Sequence, residues 1–194
     1  MARYASDHKE ATRRRILDAA GRRLKRDGID GAGITALMSD AGLTNGAFYA
    51  HFDSKADLVA AVVTDQLQTQ AAAIAELPAG REGLTDYVDW YLSLDHRDDV
   101  AGGCPSAALL DEIARQGAEV ATAYQSGVAV IIDEIALRLT SDWSLDASVS
   151  TTRAVGLMTV LMSSLQLARA VADETVAQQV LTAGIENARA LLTS

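Results

Sequence analysis

The stretch from Ala41 to Leu58, AGLTNGAFYAHFDSKADL, restricts the possible folds more than any other part of this chain. The pattern ends one helix at Gly42 and opens another after Thr44. Phe48 and Phe52 stand at i and i+4, so both fall on one face of that short helix. Ser54-Lys55-Ala56-Asp57 is a capping sequence that starts the next helix. Two helices joined by a tight glycine turn are the plan of a helix-turn-helix, whose second helix can enter the DNA major groove.

The formal net charge of −9 argues against a nucleic-acid partner until it is divided by position. Residues 1–55 hold ten Lys/Arg against seven Asp/Glu, a balance of +3, and residues 56–194 carry −12. All three lysines, Lys9, Lys25 and Lys55, lie in the first segment. Such a split suits a DNA-binding head on an acidic body, and it confines DNA contact to the head. The single Cys104 excludes an internal disulfide framework and a cysteine-rich zinc site, and it suits a reducing cytoplasm. The N-terminus MARYASDHKEATRRR is polar and charged, so no secretory signal is expected. The most apolar run, Ala154 to Ala168, is bracketed by Arg153 and Arg169. It is shorter than the ~20 residues of a membrane span. The expectation is a cytoplasmic protein with no membrane partner.

Periodicity predicts an all-α chain of about nine helices, with a head over residues 1–53 and a helical body over 54–194. The first helix is expected to start at the capping box Asp7-His8-Lys9-Glu10 and to end near Gly28, with Ile16, Ala20 and Leu24 as its apolar stripe. The second carries Ile34, Leu37, Met38 and Ala41. A fourth runs from Lys55 to about Leu77 and a fifth from Glu82 to Leu94. DHRDDVAGG is expected to be a polar loop, followed by a sixth helix from Pro105 to Gly117. A seventh carries Val120, Ile131, Ile135 and Leu139. The eighth, about Ala147 to Ala172, is apolar all round and calls for almost complete cover. The ninth, after Asp173, has two apolar stripes: Val176, Val180 and Leu191, and Leu181, Ile185, Ala188 and Leu192. One stripe can face the core while the other needs a second partner. A homodimer through the last two helices, packed as a four-helix bundle, answers that need.

The segment GITALMSDAGLTNGAFYAHFDSKADLV resembles the signature of the TetR family of bacterial transcriptional regulators, and the similarity covers about residues 8–63. Gly42, Gly46, Phe48-Tyr49, His51-Phe52 and Ser54-Lys55 carry it. GCPSAALLDEIA, from Gly103 to Ala114, is similar to a segment of some family subgroups. The resemblance implies an all-helical dimer with a variable ligand-binding body, usually a repressor released by a small molecule. Family members often carry a larger polar residue where Asn45 and Ala47 stand here, which implies few direct base contacts and more reliance on DNA shape.

The residues themselves suggest roles. Opposite the two phenylalanines, the third helix presents Gly46, Ala50 and Asp53, with Asn45 and Tyr49 at one border. Small residues there let the backbone approach the groove floor. Asn45 could read an adenine edge. Tyr49 suits phosphate through its hydroxyl, and Lys55 in the first turn of its helix suits phosphate too. Thr35 and Thr44 are further phosphate candidates. His51 is either a packed histidine or a backbone contact, and Arg13 to Arg15 either touch phosphate or form a solvated face. The expected DNA-binding set is therefore Thr35, Thr44, Asn45, Gly46, Ala47, Tyr49, His51 and Lys55. For an unidentified small-molecule effector, Trp90, Tyr91, Tyr124, Met158 and Met162 are candidates by type and by position on central helices, with simple core as the alternative. Arg153 and Gln166 could anchor polar groups of a ligand. Cys104 is a conceivable redox sensor or a quiet small residue before proline, and His96, Asp98 and Asp99 are a possible metal cluster or a polar loop.

The leading expectation is a dimeric repressor on a double-stranded, pseudo-palindromic operator. An activator of the same family is an alternative, as is a carrier or enzyme with a vestigial head. There is no GxxxxGK[ST] loop, G-x-S-x-G elbow or HExxH pair to support an enzyme, and no catalytic residue, cofactor or metal is expected.

Overall fold

The computed structural model describes residues 2–193, with side chains from residue 7. Ten helices and no strand make up the described residues. The first, α1 (Ala2–Asp27), starts ahead of the expected capping box, because nothing from Ala2 to Ser6 breaks a helix. Its stripe of Ile16, Ala20 and Leu24 is fully buried.

α2 (Ile34–Asp40) and α3 (Asn45–Phe48) form the helix-turn-helix. Gly42 takes φ +65°, a conformation that costs a residue with a Cβ. With it there, Leu43 N–H donates to Met38 O and Gly42 N–H to Ser39 O, both at 2.9 Å, which closes α2 as a Schellman motif. Thr44 stands at the N-cap of α3, but its hydroxyl accepts no helix N–H. α3 is shorter than one reaching Phe52, yet Phe52 N–H still donates to Phe48 O at 3.0 Å, which keeps the two rings on one side. At the start of α4 (Lys55–Ala75), Ser54 Oγ accepts from Asp57 N–H at 3.0 Å, and the Asp57 carboxylate accepts from Asp53 N–H at 3.0 Å.

The body continues through α5 (Arg81–Tyr91), α6 (Leu94–Asp98), α7 (Pro105–Ile113), α8 (Ala118–Trp143), α9 (Ala147–Ala170) and α10 (Glu174–Thr193). α6 corrects the expected polar loop and raises the count from about nine helices to ten. Ser93 caps it by accepting from His96 N–H at 3.2 Å, and the His96 ring is buried. α4 packs along α8, α8 along α9, and α9 along α10. Gly127 permits the first contact: a Cβ there would sit 2.6 Å from Leu67 Cδ1. Arg138 of α8 ties down the C-terminal carbonyls of α4, donating to Ala75 O (2.9 Å), Pro78 O (2.8 Å) and Leu77 O.

α9 is less covered than its composition calls for. Leu157, Met158, Leu161 and Leu165 are buried, but Val155 and Leu167 are 46% and 53% exposed. A single chain packs α7, α8 and α10 on one side of α9 and leaves the opposite side open. On α10, Leu181, Ala188 and Leu192 are buried, Ile185, Val180 and Leu191 are half-buried, and Val176 is exposed. α8, not α9, is the one described helix long and apolar enough by length and composition to cross a membrane. Here it serves as a core helix, with Val120, Ile131, Ile135 and Leu139 fully buried.

Candidate nucleic-acid interface and ligand cavity

Two aromatic rings orient the head. Phe48 and Phe52 are buried with centroids 5.8 Å apart, and Tyr49 stands edge-on to Phe48 at 5.1 Å and 87°. Burying Phe48 turns the next residue, Tyr49 at the C-cap of α3, outward, and Tyr49 is 70% exposed. Thr35, Thr44, Asn45 and Gly46 are exposed beside it. Asn45 Nδ2 donates to Thr35 Oγ1 at 2.9 Å, which joins the starts of α2 and α3 into one polar edge. Ala47 is half-buried against the core. Lys55 is half-buried at the first position of α4.

His51 is half-buried, and its Nδ1 is buried without a partner. Burial, then the nearby Lys9 and Arg13, hold its pKa below the ordinary histidine value. Arg13 is engaged within the head: its guanidinium lies 4.3 Å over the Phe52 ring, and Nη1 donates to His51 O at 2.8 Å. Arg14 pairs with Asp65 (2.5 Å) and Asp18 (3.2 Å), while Arg15 is exposed.

Behind the head, a cavity of about 460 Å³ opens where α1, α4, α5 and the segment leading into α7 meet. Trp90 and Tyr91 line it, together with Lys25, Gln70, Tyr87 and His96. The His96 ring fixes this wall. Its Nε2 accepts from Cys104 N–H at 3.1 Å, so the ring proton sits on Nδ1 and is donated to Tyr91 O at 2.7 Å. Trp90 stacks on the same ring at 4.7 Å and 11°. Burial holds His96 below its ordinary pKa, and burial pushes the Tyr87 and Tyr91 phenols up. Tyr87 accepts from Gln70 Nε2 at 3.0 Å, whereas the buried Tyr91 hydroxyl has no hydrogen-bond partner.

The other candidates lie elsewhere. Tyr124 O–H donates to Ser106 Oγ at 3.2 Å and lies 4.0 Å from Met162 Sδ, in the seam of α7, α8 and α9. Met158 is buried on α9. None of these three lines the cavity, because Tyr124 turns toward α7 rather than toward α5. Arg153 donates to Leu191 O at 3.4 Å. Gln166 is half-buried on α9. Cys104 lines the cavity as a free, buried thiol that donates to Gln70 Oε1 at 3.5 Å. His96 faces inward, Asp98 pairs with Arg97 (2.7 Å) and Asp99 accepts from Gly102 N–H (2.8 Å). Among the described residues, no group of three or more His, Cys, Asp or Glu is placed to hold a metal ion.

Besides the Arg14–Asp65 pair, two further contacts tie the end of α1 to the body, and sequence reasoning missed both. Glu112 of α7 accepts from Ile29 N–H (2.6 Å) and Asp30 N–H (3.2 Å) just beyond the end of α1. Lys25 Nζ donates to Gly103 O at 2.8 Å. The available signal was the i, i+4, i+8 set Leu17, Gly21 and Lys25, which puts a lysine on a covered face beside the apolar stripe.

Residues 16–62 match the family described as bacterial regulatory proteins, tetR family. A transcriptional repressor of Mycobacterium tuberculosis, Rv1474c, is 36% identical over 84 residues, which cover 43% of this chain and 42% of that one. The regulator AcrR of Shigella flexneri is 38% identical over 58 residues, covering 30% of this chain and 27% of AcrR. The matched part of the chain thus spans less than half the length of these curated relatives. Reduced E. coli NemR shares the fold over 93% of this chain and 96% of its own, at TM-score 0.79 and 17% identity. Bacillus subtilis FadR, solved with stearoyl-CoA, does so over 92% and 97%, at TM-score 0.64 and 15% identity. The head of the chain thus matches the tetR family of bacterial regulatory proteins, and the fold of the whole chain is shared with solved structures of TetR-family transcriptional regulators.

Proposed function

We propose that this chain acts in the cytoplasm as a DNA-binding repressor that a small-molecule effector releases. The observation that carries this reading is the outward polar edge of the head. Thr35, Thr44, Asn45, Gly46 and Tyr49 are exposed around α3, and Lys55 opens α4 beside them. In this reading residues 1–53 engage DNA and residues 54–194 hold the effector and the dimer contacts. Asn45 reads a base edge, Tyr49 and Lys55 bind phosphate with help from Thr35 and Thr44, and Gly46 and Ala47 keep the backbone close to the groove. His51 supports this face from behind.

Two copies join through α9 and α10. The exposed Val155, Leu167 and Val176 support this, because a helix as apolar as α9 needs cover on both sides. The paired heads then span half-sites about 34–36 Å apart on a pseudo-palindrome. Trp90 and Tyr91 contact the effector, and it releases DNA in proportion to its differential affinity for the two states of the dimer. The relative from Mycobacterium tuberculosis is named a repressor, and FadR was solved with an acyl-CoA, which favours this reading over an activator or a carrier.

Fluorescence anisotropy against DNA from upstream of the chain's own gene, at two salt concentrations, tests it. Salt-sensitive binding with a preference of at least ~10³ over scrambled DNA is the expected result. Weak, equal binding to the gene's own upstream DNA, to scrambled DNA and to a random-sequence pool would overturn it.

A further inference from the structure

The cavity wall holds positive charge that the chain does not neutralise. Lys25 is only 8% exposed, and its ammonium donates to a neutral carbonyl, Gly103 O. No carboxylate among the described residues makes an ion pair with it. Arg22, one turn earlier on α1, lines the same cavity with no ion pair or hydrogen bond of its own among the described residues. The Tyr91 hydroxyl is buried on the cavity wall without a partner. Behind it, Arg169 donates to His96 O and Arg97 O and leaves Nη1 buried and unpaired. The two carboxylates on the lining, Asp18 and Asp65, are both held by Arg14. A buried charge without a counter-charge is costly, and this one, on a helix of the head, stays unpaired although the body it faces carries a strongly negative net charge. Tyr87 and Trp90 supply the apolar part of the wall, with ring centroids 5.7 Å apart.

We propose that this cavity takes a small, flat aromatic acid. Its anionic group pairs with Lys25 and Arg22 and accepts from the Tyr91 hydroxyl, while its ring lies against Trp90 and Tyr87. This rests on the reading of the chain as an effector-responsive regulator, and it names the chemical class of that effector. It also gives the effector a direct grip on the head. Lys25 and Arg22 belong to α1, whereas Trp90 and Tyr91 belong to α5, so one bound molecule bridges the two parts.

Burial pushes the Lys25 pKa down to about 8. Arg22 on α1 and Arg169 on α9 press in the same direction, while Asp99 and Cys104 oppose it. His96 on α6 is also near, and burial holds its pKa below the ordinary histidine value. The cation is therefore present below that pH and lost above it, so affinity for an acid falls as pH rises through it.

The test is isothermal titration of the full chain with 2-naphthoate and with 2-naphthamide, its neutral counterpart of the same shape. Trp90 emission in a Trp143→Phe background reports occupancy of the cavity itself. The acid is expected to bind about ten-fold or more tighter than the amide. Lys25→Met and Arg22→Gln should each weaken the acid by about ten-fold while changing the amide by less than about two-fold. Raising the pH from about 7 to about 9.5 should reproduce the Lys25→Met loss in the unsubstituted chain. Lys25→Met removes a buried unpaired charge and should fold, and Arg22 is exposed. Equal affinity for acid and amide, no binding of either, or an acid affinity indifferent to both substitutions and to pH would overturn the proposal. DNA binding of the same variants is measured without naphthoate, so a head that does not bind DNA is recognised separately from a cavity that does not bind the acid.

Discussion

In the head, α3 turns Asn45, Gly46 and Tyr49 to solvent over the buried rings of Phe48 and Phe52. In the body, α6 does the reverse: it turns His96 inward beneath Trp90 and spends both ring nitrogens on the main chain. Each is a short helix of low intrinsic stability, held by one buried ring: Phe48 against Phe52 and Tyr49, and His96 against Trp90 and Tyr91. The difference lies in where the polar atoms end up. An outward polar edge over a rigid apolar base is a surface that another molecule can read. An inward polar group walls a cavity, and its hydrogen bonds decide the shape of that cavity. The head is built to be read and the body to enclose.

The largest effect should follow from removing the base of the head. Phe48→Ala is expected to cost about 3–5 kcal/mol, and loss of DNA binding should accompany it. Denaturant unfolding followed by circular dichroism checks this. An unchanged midpoint would mean that the outward edge does not depend on the buried rings.

On the body side, His96→Leu keeps the ring's approximate volume but strands Cys104 N–H and Tyr91 O. A loss of about 1–3 kcal/mol is expected by the same assay. Stability should also depend on pH through His96 and His51. Both pKa values are held below the ordinary 6.5, so the unfolded chain binds more protons near that value. Their contribution is present above about pH 6.5 and is lost as pH falls, with a slope of at most about 1.4 kcal/mol per unit per histidine. Midpoints measured across that range should show a shallower decline in His96→Leu.

Glu112→Gln sharpens the comparison where the two parts meet. The amide still offers an oxygen to Ile29 N–H and Asp30 N–H, but without charge assistance, so about 1 kcal/mol is expected. Hydrogen exchange at Ile29 and Asp30 should speed up before exchange in α8 does. The smallest effect belongs to Lys55→Ala. It should weaken DNA binding almost uniformly across sequences and lower the salt slope by about one unit. Unchanged affinity and slope would remove Lys55 from the proposed interface.

The residues that made the head legible are those whose roles are local. Gly42 closes α2 because the Schellman turn needs a positive φ, and Ser54 opens α4 because a hydroxyl three residues before Asp57 reaches its N–H. Phe48 and Phe52 share a face because four residues make about one helical turn. The same reasoning stopped α3 too late and began α1 too late, since helix ends answer to tertiary contacts as well as to caps. In the body, DHRDDVAGG carries four charges and reads as a loop, although one histidine within it packs against Trp90 and Tyr91. Residue type marked Trp90 and Tyr91 as candidates beside Tyr124, Met158 and Met162, but it carried no information about which of them share a wall.

The sequence by itself determined the order of the helices other than α6, the turn between α2 and α3, the polar face of the head and the charge division along the chain. These follow from periodicity, capping and composition, which act over a few residues. Only the tertiary structure decided that Lys25 enters a cavity and there meets Gly103, 78 residues along the chain, that Glu112 holds the end of α1, and that α9 keeps one apolar side open. Those facts depend on which helix faces cross, and a side chain's neighbours across such a crossing leave no regular spacing in the chain.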